Sequence, residues 1–357
     1  DSLTRFPVAM RASRGGPRVL RALTSALSIL ALTAAITAVT PISASAEAPA
    51  DETQSLDVEP EIARRLHELD PGRISAHDVA EVLARVPAPR IILLQGSFPI
   101  INMDPFAEFL IAMGYPADRI RNPRDGRYSE SSFMDSQRLA GMIAWYYETE
   151  GMRPLLIGHS QGGMLAIRVL YDLAGAFSDA IHVWNPLTDR PESRTTIVDP
   201  VTGDVRPVVG LRMRYAAAIA TGKLPRLLLG QWSMLSRLSR IPDSVDDFTG
   251  FSLDWDFIAG HFGGSEPYTA IGTASVRNVT LPGSYTHIGL PSVEHLAAHE
   301  ATRAWIDSYV PGANVAVPKE PGLDTTNLIH AADIWYSVKK NWCLSARRRL
   351  DATRVAQ

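Results

Sequence analysis

The chain has 357 residues, 46% of them hydrophobic and 20% charged, an ordinary globular composition that excludes a disordered or fibrous protein. With 35 basic against 38 acidic residues and no basic patch interleaved with aromatics, nucleic-acid binding has no compositional support. Cys343 is the only cysteine, so no intramolecular disulfide can form and stability has to come from a buried core.

Met10 reads as a start, followed by Arg11, Arg14, Arg18 and Arg21, an uncharged apolar run over 22–39, and small residues ending in Ala44-Ser45-Ala46. That order predicts a secretory signal peptide over 1–46 and a secreted or periplasmic product. The alternative is an uncleaved membrane anchor, because 18 uncharged residues are close to the length of a span. Without residues 1–46 the chain keeps 30 basic and 37 acidic residues, a net charge of −7.

Residues 47–89 are expected to form a polar linker over 47–59 and then two short helices over 60–86, the second starting near Ser75. A domain over 90–310 follows. Arg90 to Leu94 is β-prone and stops at Gln95-Gly96-Ser97-Phe98-Pro99. Asp104-Pro105 opens a helix with a cap and an N1 proline, and Ser131 to Glu150 carries a second helical pattern. Pro154 to Ile157 is a brief apolar strand that turns through glycines into a helical run over Met164 to Leu170. Strands alternating with helices predict an α/β protein with a mostly parallel central sheet covered on both faces. Ile181 to Trp184, Phe248 to Leu253 and Ala274 to Leu281 are further strand candidates, and Ser292 to Tyr309 a helix. Residues 208–242 hold six Lys or Arg and no acid. They read either as ordinary helices at the sheet edge or as part of a helical cap or lid over 190–247 that also contacts a lipid or anionic surface. Residues 311–357 are expected to be a C-terminal tail.

The informative run is Gly158-His159-Ser160-Gln161-Gly162-Gly163, which matches G-x-S-x-G between an apolar strand and a helix. Such a sharp turn strains the serine backbone and exposes its hydroxyl, so the residues two positions either side must lack a Cβ. The helix behind it points free N–H groups and its positive dipole end at the site, where an oxyanion would be stabilised.

This run after a short apolar strand resembles bacterial secreted lipases and esterases of the α/β-hydrolase superfamily. The similarity covers about residues 90–310 and implies an α/β-hydrolase fold with Ser160 as nucleophile. Gln95-Gly96-Ser97 stands where the family carries an oxyanion loop, keeping the glycine but not the preceding histidine. The resemblance therefore implies the backbone N–H groups of Ser97 and Gln161 as oxyanion donors, with Phe98 as the fallback. Family order places the base in the loop after the last strand, which selects His287 over His67, His77, His159, His295 and His299. The acid is expected after the preceding strand. Asp256 is favoured by similarity and Asp254 is the alternative, because two residues of one strand point the same way; Asp189 is a third candidate.

The expected function is hydrolysis of a carboxylic ester, on a small-molecule or lipid ester substrate, through an acyl-enzyme that needs no metal or other cofactor. Two alternatives remain open. The same elbow could pass the acyl group to an alcohol, or the fold could be a non-catalytic lipid- or partner-binding protein acting through residues 208–242.

Overall fold

The computed structural model describes residues 58–98, 101–223, 231–313 and 316–355. The expected signal peptide over 1–46 lies outside them, as do residues 224–230 of the expected cap. Among the described residues no helix is long and apolar enough to cross a membrane.

The organising element is a sheet of six strands: β1 (Ile91–Leu94), β2 (Ser129–Glu130), β3 (Leu155–His159), β4 (Met213–Ile219), β5 (Val245–Ser252) and β6 (Ser275–Thr280), in the order β6-β5-β4-β3-β1-β2. Every pairing is parallel. Parallel strands need crossovers that cover both faces, so the central strands β1, β3 and β4 are buried nearly throughout instead of alternating, while the edge strands β2 and β6 are more polar. β1 illustrates this: Ile91 and Leu93 enter one core while Ile92 and Leu94 enter the other. The first core contains residues of α1 (Pro60–Glu68), α2 (Ala76–Glu81), α3 (Asp104–Ala112), α6 (Glu300–Ser308) and α7 (Leu328–Val355). The second contains residues of α4 (Ser136–Glu150) and α5 (Gln161–Leu173). The protein is thus an α/β protein with helices on both faces of a parallel sheet.

Local signals set the boundaries. At α2, Ser75 and Asp78 form a reciprocal capping box. At α4 the Asp135 side chain accepts the Arg138 N–H at 2.9 Å, and Gly151 ends the helix at φ 75°.

Several elements differ from expectation. The residues around 213–219, expected as helix or helical cap, form the buried strand β4. The rest of the described part of 190–247 contains no α-helix. It makes antiparallel pairings between Trp184–Asn185 and Arg190–Pro191 and between Thr196–Val198 and Val205–Pro207, then a 3-10 turn at Trp232–Met234. The strand expected over Ile181 to Trp184 does not join the central sheet: only Trp184 lies in a strand, and it pairs with Pro191. Asp104 is not the cap of α3: its carboxylate accepts the Ser129 hydroxyl at 2.6 Å, and Met103 occupies the cap position. Helix α4 starts at Ser136 instead of Ser131, and the stretch expected as one helix over 292–309 breaks into a 3-10 turn at Glu294–Ala297 and α6.

The largest correction concerns the expected tail. Residues 328–355 form α7, the longest helix described, which buries Trp335 and Trp342 completely. The Trp342 ring meets Tyr115 edge-on at 4.9 Å, and its Nε1–H donates to Pro87 O at 3.0 Å. Trp342→Ala is expected to lower the unfolding free energy by about 3–5 kcal/mol in a denaturant titration. A cost below about 0.5 kcal/mol, the scale of a surface substitution, would show that α7 is dispensable to the core.

Candidate active site

In a parallel sheet every loop that leaves a strand end lies at one edge, so residues distant in sequence can converge there. β3 runs between β1 and β4 and delivers Ser160 to this edge. The Ser160 backbone sits at φ 53°, ψ −115°, a region that costs a non-glycine residue about 1–3 kcal/mol. Surrounding groups hold it there. The Ser160 N–H donates to Ile219 O at 2.7 Å, and the Thr221 hydroxyl donates to Ser160 O at 2.9 Å. Gly158 and Gly162 permit the bend. A Cβ on Gly158 would overlap the backbone of Gly162 and Gly163, and one on Gly162 would overlap the carbonyls of Leu94 and Gln95.

Helix α5 starts directly behind the serine, with the Gly163 and Met164 N–H groups both donating to Ser160 O. That leaves the first two N–H groups of the helix, those of Gln161 and Gly162, without an intrahelical acceptor. The turn after β1 packs against the elbow from the other side: a Cβ on Gly96 would lie 3.2 Å from His159 Nδ1 and 3.6 Å from Ser160 Cβ. Gly96 O accepts the buried Ser132 hydroxyl at 3.0 Å, which pins the Gly96-Ser97 turn. Phe98, the fallback donor, carries an exposed side chain.

The loop after β6 brings His287 onto the serine. Ser160 Oγ lies 2.9 Å from His287 Nε2, and His287 Nδ1 lies 2.7 Å from Asp256 Oδ2. With the carboxylate accepting at Nδ1, that nitrogen carries the proton and Nε2 is left to accept from the hydroxyl. All three side chains are buried, Ser160 at 7% exposure, so the serine is less exposed than the sharp turn predicts and the hydrogen-bonded set is largely shielded from water.

Asp256 is held by its turn, where Oδ1 accepts the Ala259 N–H at 2.9 Å. Burial pushes its carboxyl upward. The His287 hydrogen bond and charge, together with the Ala259 N–H, outweigh that and leave it below the ordinary carboxylate value. Asp254 is exposed and does not join the relay, and Asp189 is engaged by Arg124, Arg138 and the Trp184 ring N–H. Two of the other candidate histidines lie elsewhere: His295 is 3.6 Å from Asp324 and His67 is 3.4 Å from Asp351.

His159 plays a part its sequence position did not reveal. Its Nε2–H donates to the backbone carbonyl of His287 at 2.8 Å, and the two rings lie 5.1 Å apart. Burial, followed by the neighbouring His287 ring, pushes its pKa down to about 3, so it stays neutral and keeps a single N–H for that carbonyl.

Two cavities adjoin helix α5 and the turn after β4, and none of Ser160, His287 or Asp256 lines either. One of about 280 Å³ is lined by Ser132, Phe133 and Met164, among others, and one of about 230 Å³ by Thr221, Lys223, His261 and Tyr268, among others. The loops that carry the site also display Phe98, Trp255, Phe257, Phe262 and Ile288, each 55–68% exposed. Phe257 contacts Trp255 and Phe262 with ring centroids 6.3 and 5.5 Å apart.

No protein-family model matches this sequence, and no curated protein matches it.

A histidine that is neutral when folded and titrates normally when unfolded makes the unfolded state the stronger proton binder below pH 6.5. Stability is then lost as pH falls from 6.5 toward about 3. His159→Gln keeps an N–H donor and removes the titrating ring. Between pH 6.5 and 4 the unfolding free energy of the wild type is expected to fall more steeply than that of this variant, by about 1.4 kcal/mol per pH unit. Parallel profiles would contradict a buried neutral ring.

Proposed function

We propose that this protein is a serine hydrolase of the α/β-hydrolase fold, cleaving a carboxylic ester through an acyl-enzyme on Ser160. The observation that carries the reading is the relay itself: a serine hydroxyl 2.9 Å from an imidazole nitrogen whose other nitrogen is 2.7 Å from a buried carboxylate. A hydroxyl is a weak nucleophile until a base takes its proton, and this arrangement supplies the base in the required tautomer.

In the first step Ser160 Oγ attacks the ester carbonyl carbon and its proton passes to His287 Nε2. Negative charge collects on the carbonyl oxygen, and the N–H groups of Ser97 and Gln161 are assigned to receive it. Asp256 orients His287 and stabilises the imidazolium. Collapse of the tetrahedral intermediate breaks the bond to the alcohol oxygen, which takes the proton from His287 as it leaves. Water then enters, gives a proton to His287 and attacks the acyl carbon; the proton returns to Ser160 as the acid departs. The reaction closes without a metal or redox partner.

The exposed aromatic and aliphatic side chains beside the site favour an ester with an apolar acyl or alcohol part, either a small molecule or a lipid. The proposal includes export, on the order of charged, apolar and small residues over 10–46.

Ser160→Ala is expected to abolish turnover of a chromogenic ester while leaving Tm nearly unchanged; turnover retained at the wild-type rate refutes the assignment. The acid is tested separately. Asp256→Asn should lower kcat by on the order of 10^3- to 10^4-fold, because the amide no longer selects the Nδ1–H tautomer. Asp254→Asn should leave kcat near the wild-type value, and the reverse result would move the acid to Asp254.

A further inference from the structure

His287 lies in a long loop, and a base must be held within about 0.5 Å of its working position. The loop's own backbone bonds are short turns: Tyr285 N–H to Pro282 O at 2.9 Å, Gly289 N–H to Thr286 O at 3.0 Å, and Ser292 N–H to Gly289 O at 2.9 Å. Bonds of this kind shape a loop locally but do not place it relative to Ser160. The His159 ring ties the loop to the elbow at one carbonyl. Leu281 N–H ties the start of the loop to Ser252 O at 2.8 Å, Leu290 and Val293 are buried in the first core, and a further set of hydrogen bonds comes from the start of α7.

Asn327 Nδ2 donates to Gly289 O at 2.7 Å and to Ser292 O at 2.9 Å. One turn further on, His330 Nε2 donates to Leu290 O at 2.8 Å, and between them the Ile329 N–H donates to the Tyr285 hydroxyl at 3.2 Å. These bonds grip the loop on both sides of His287. The two side-chain donors are themselves fixed. Asn327 is 2% exposed at φ 68°, a left-handed conformation that asparagine tolerates better than most residues. His330 is fully buried among the rings of Phe106, Phe251 and Tyr285, with centroids 6.2, 6.2 and 6.0 Å away. Burial holds its pKa down to about 4, so the ring is neutral and directs its one N–H at Leu290.

The far part of α7 is anchored to other elements. Lys339 Nζ donates to Ile74 O at 2.6 Å, Trp342 Nε1 to Pro87 O at 3.0 Å, and Arg347 Nε to Leu66 O at 2.9 Å. Pro87 lies just before β1, the strand that leads to Gly96 and Ser97. One rigid helix therefore connects the chain leading into the oxyanion turn with the loop that carries the base.

We propose that Asn327 and His330 are positioning residues, which clamp the loop over 285–292 so that the His287 imidazole stays in register between Asp256 and Ser160. This rests on the hydrolase reading for its catalytic consequence, though the clamp acts on geometry that exists without substrate. A displacement of about 1 Å at a catalytic group costs on the order of 100-fold in rate, so loosening the loop should register in chemistry before it registers in fold.

The test uses the full chain and two readouts: the rate of covalent labelling of Ser160 by a fluorophosphonate, and the downfield imidazole N–H proton resonance of the His287–Asp256 hydrogen bond. Asn327→Asp is nearly isosteric and removes both donated bonds. Asn327→Gly keeps the left-handed backbone and serves if the aspartate variant fails to fold. His330→Phe keeps the aromatic packing without the donor, and His330→Gln restores an N–H. The donor-less variants are expected to unfold cooperatively, to lose or broaden the downfield resonance, and to label on the order of 10- to 100-fold more slowly. His330→Gln should recover most of both signals. Folded Asn327 and His330→Phe variants that keep the wild-type resonance and labelling rate overturn the proposal, as does a fall in Tm with both readouts unchanged. If the wild type shows the resonance but does not label, while the Asn327 variant loses the resonance, the hydrolase reading fails and the clamp stands.

Discussion

Two consecutive hydrogen bonds, Ser160 to His287 and His287 to Asp256, join loops that leave β3, β6 and β5. In this fold both bonds form because those strands run parallel and end at the same edge. The parallel order of the sheet is in turn stable only because helices bury both of its faces. The architecture and the relay are therefore one constraint seen at two scales. The strained serine follows from it as well: a helix must start immediately behind β3 to cover the sheet, and the chain reverses in a single residue at φ 53°.

The electrostatics are consistent with that geometry. A buried carboxylate without partners would favour its neutral form, and neutral Asp256 would accept the imidazole N–H at Nδ1 far more weakly than a carboxylate does. The His287 ring and the Ala259 N–H reverse the effect of burial and keep the carboxylate ionised. His159 works in the opposite sense, as burial keeps it uncharged 5.1 Å from the His287 ring. Under the proposed mechanism a second positive charge there would oppose formation of the imidazolium.

The bend at Ser160 could be read from residue types alone, because it is local. Gly158, Ser160 and Gly162 encode their bend in five positions, and the backbone around them leaves no room for a Cβ at either glycine. His287 was reached only through the order that the family resemblance implies, and the structure brings its ring to 2.9 Å from Ser160 Oγ. The choice between Asp254 and Asp256 was not legible from residue types, because strand alternation no longer applies once β5 ends at Ser252. In the turn beyond it, the Asp254 carbonyl accepts the Gly263 and Gly264 N–H groups while its side chain faces solvent, and Asp256 turns inward. β4 was obscured for a different reason: with both faces buried, Tyr215-Ala-Ala-Ala-Ile219 shows no period of two, and alanine-rich runs also suit helices. In α7 the helical period is blurred by buried polar residues, including His330, Lys339 and Asn341, whose partners are carbonyl groups; those of His330 and Lys339 lie far away in sequence.

The most direct measurement is the mass of the native protein after reaction with a fluorophosphonate, followed by peptide mapping. An activated serine at this bend predicts a single adduct, located on the peptide containing Ser160 and absent when the protein is unfolded before exposure. No adduct on the folded protein, or one carried by a different residue, would contradict a nucleophilic Ser160.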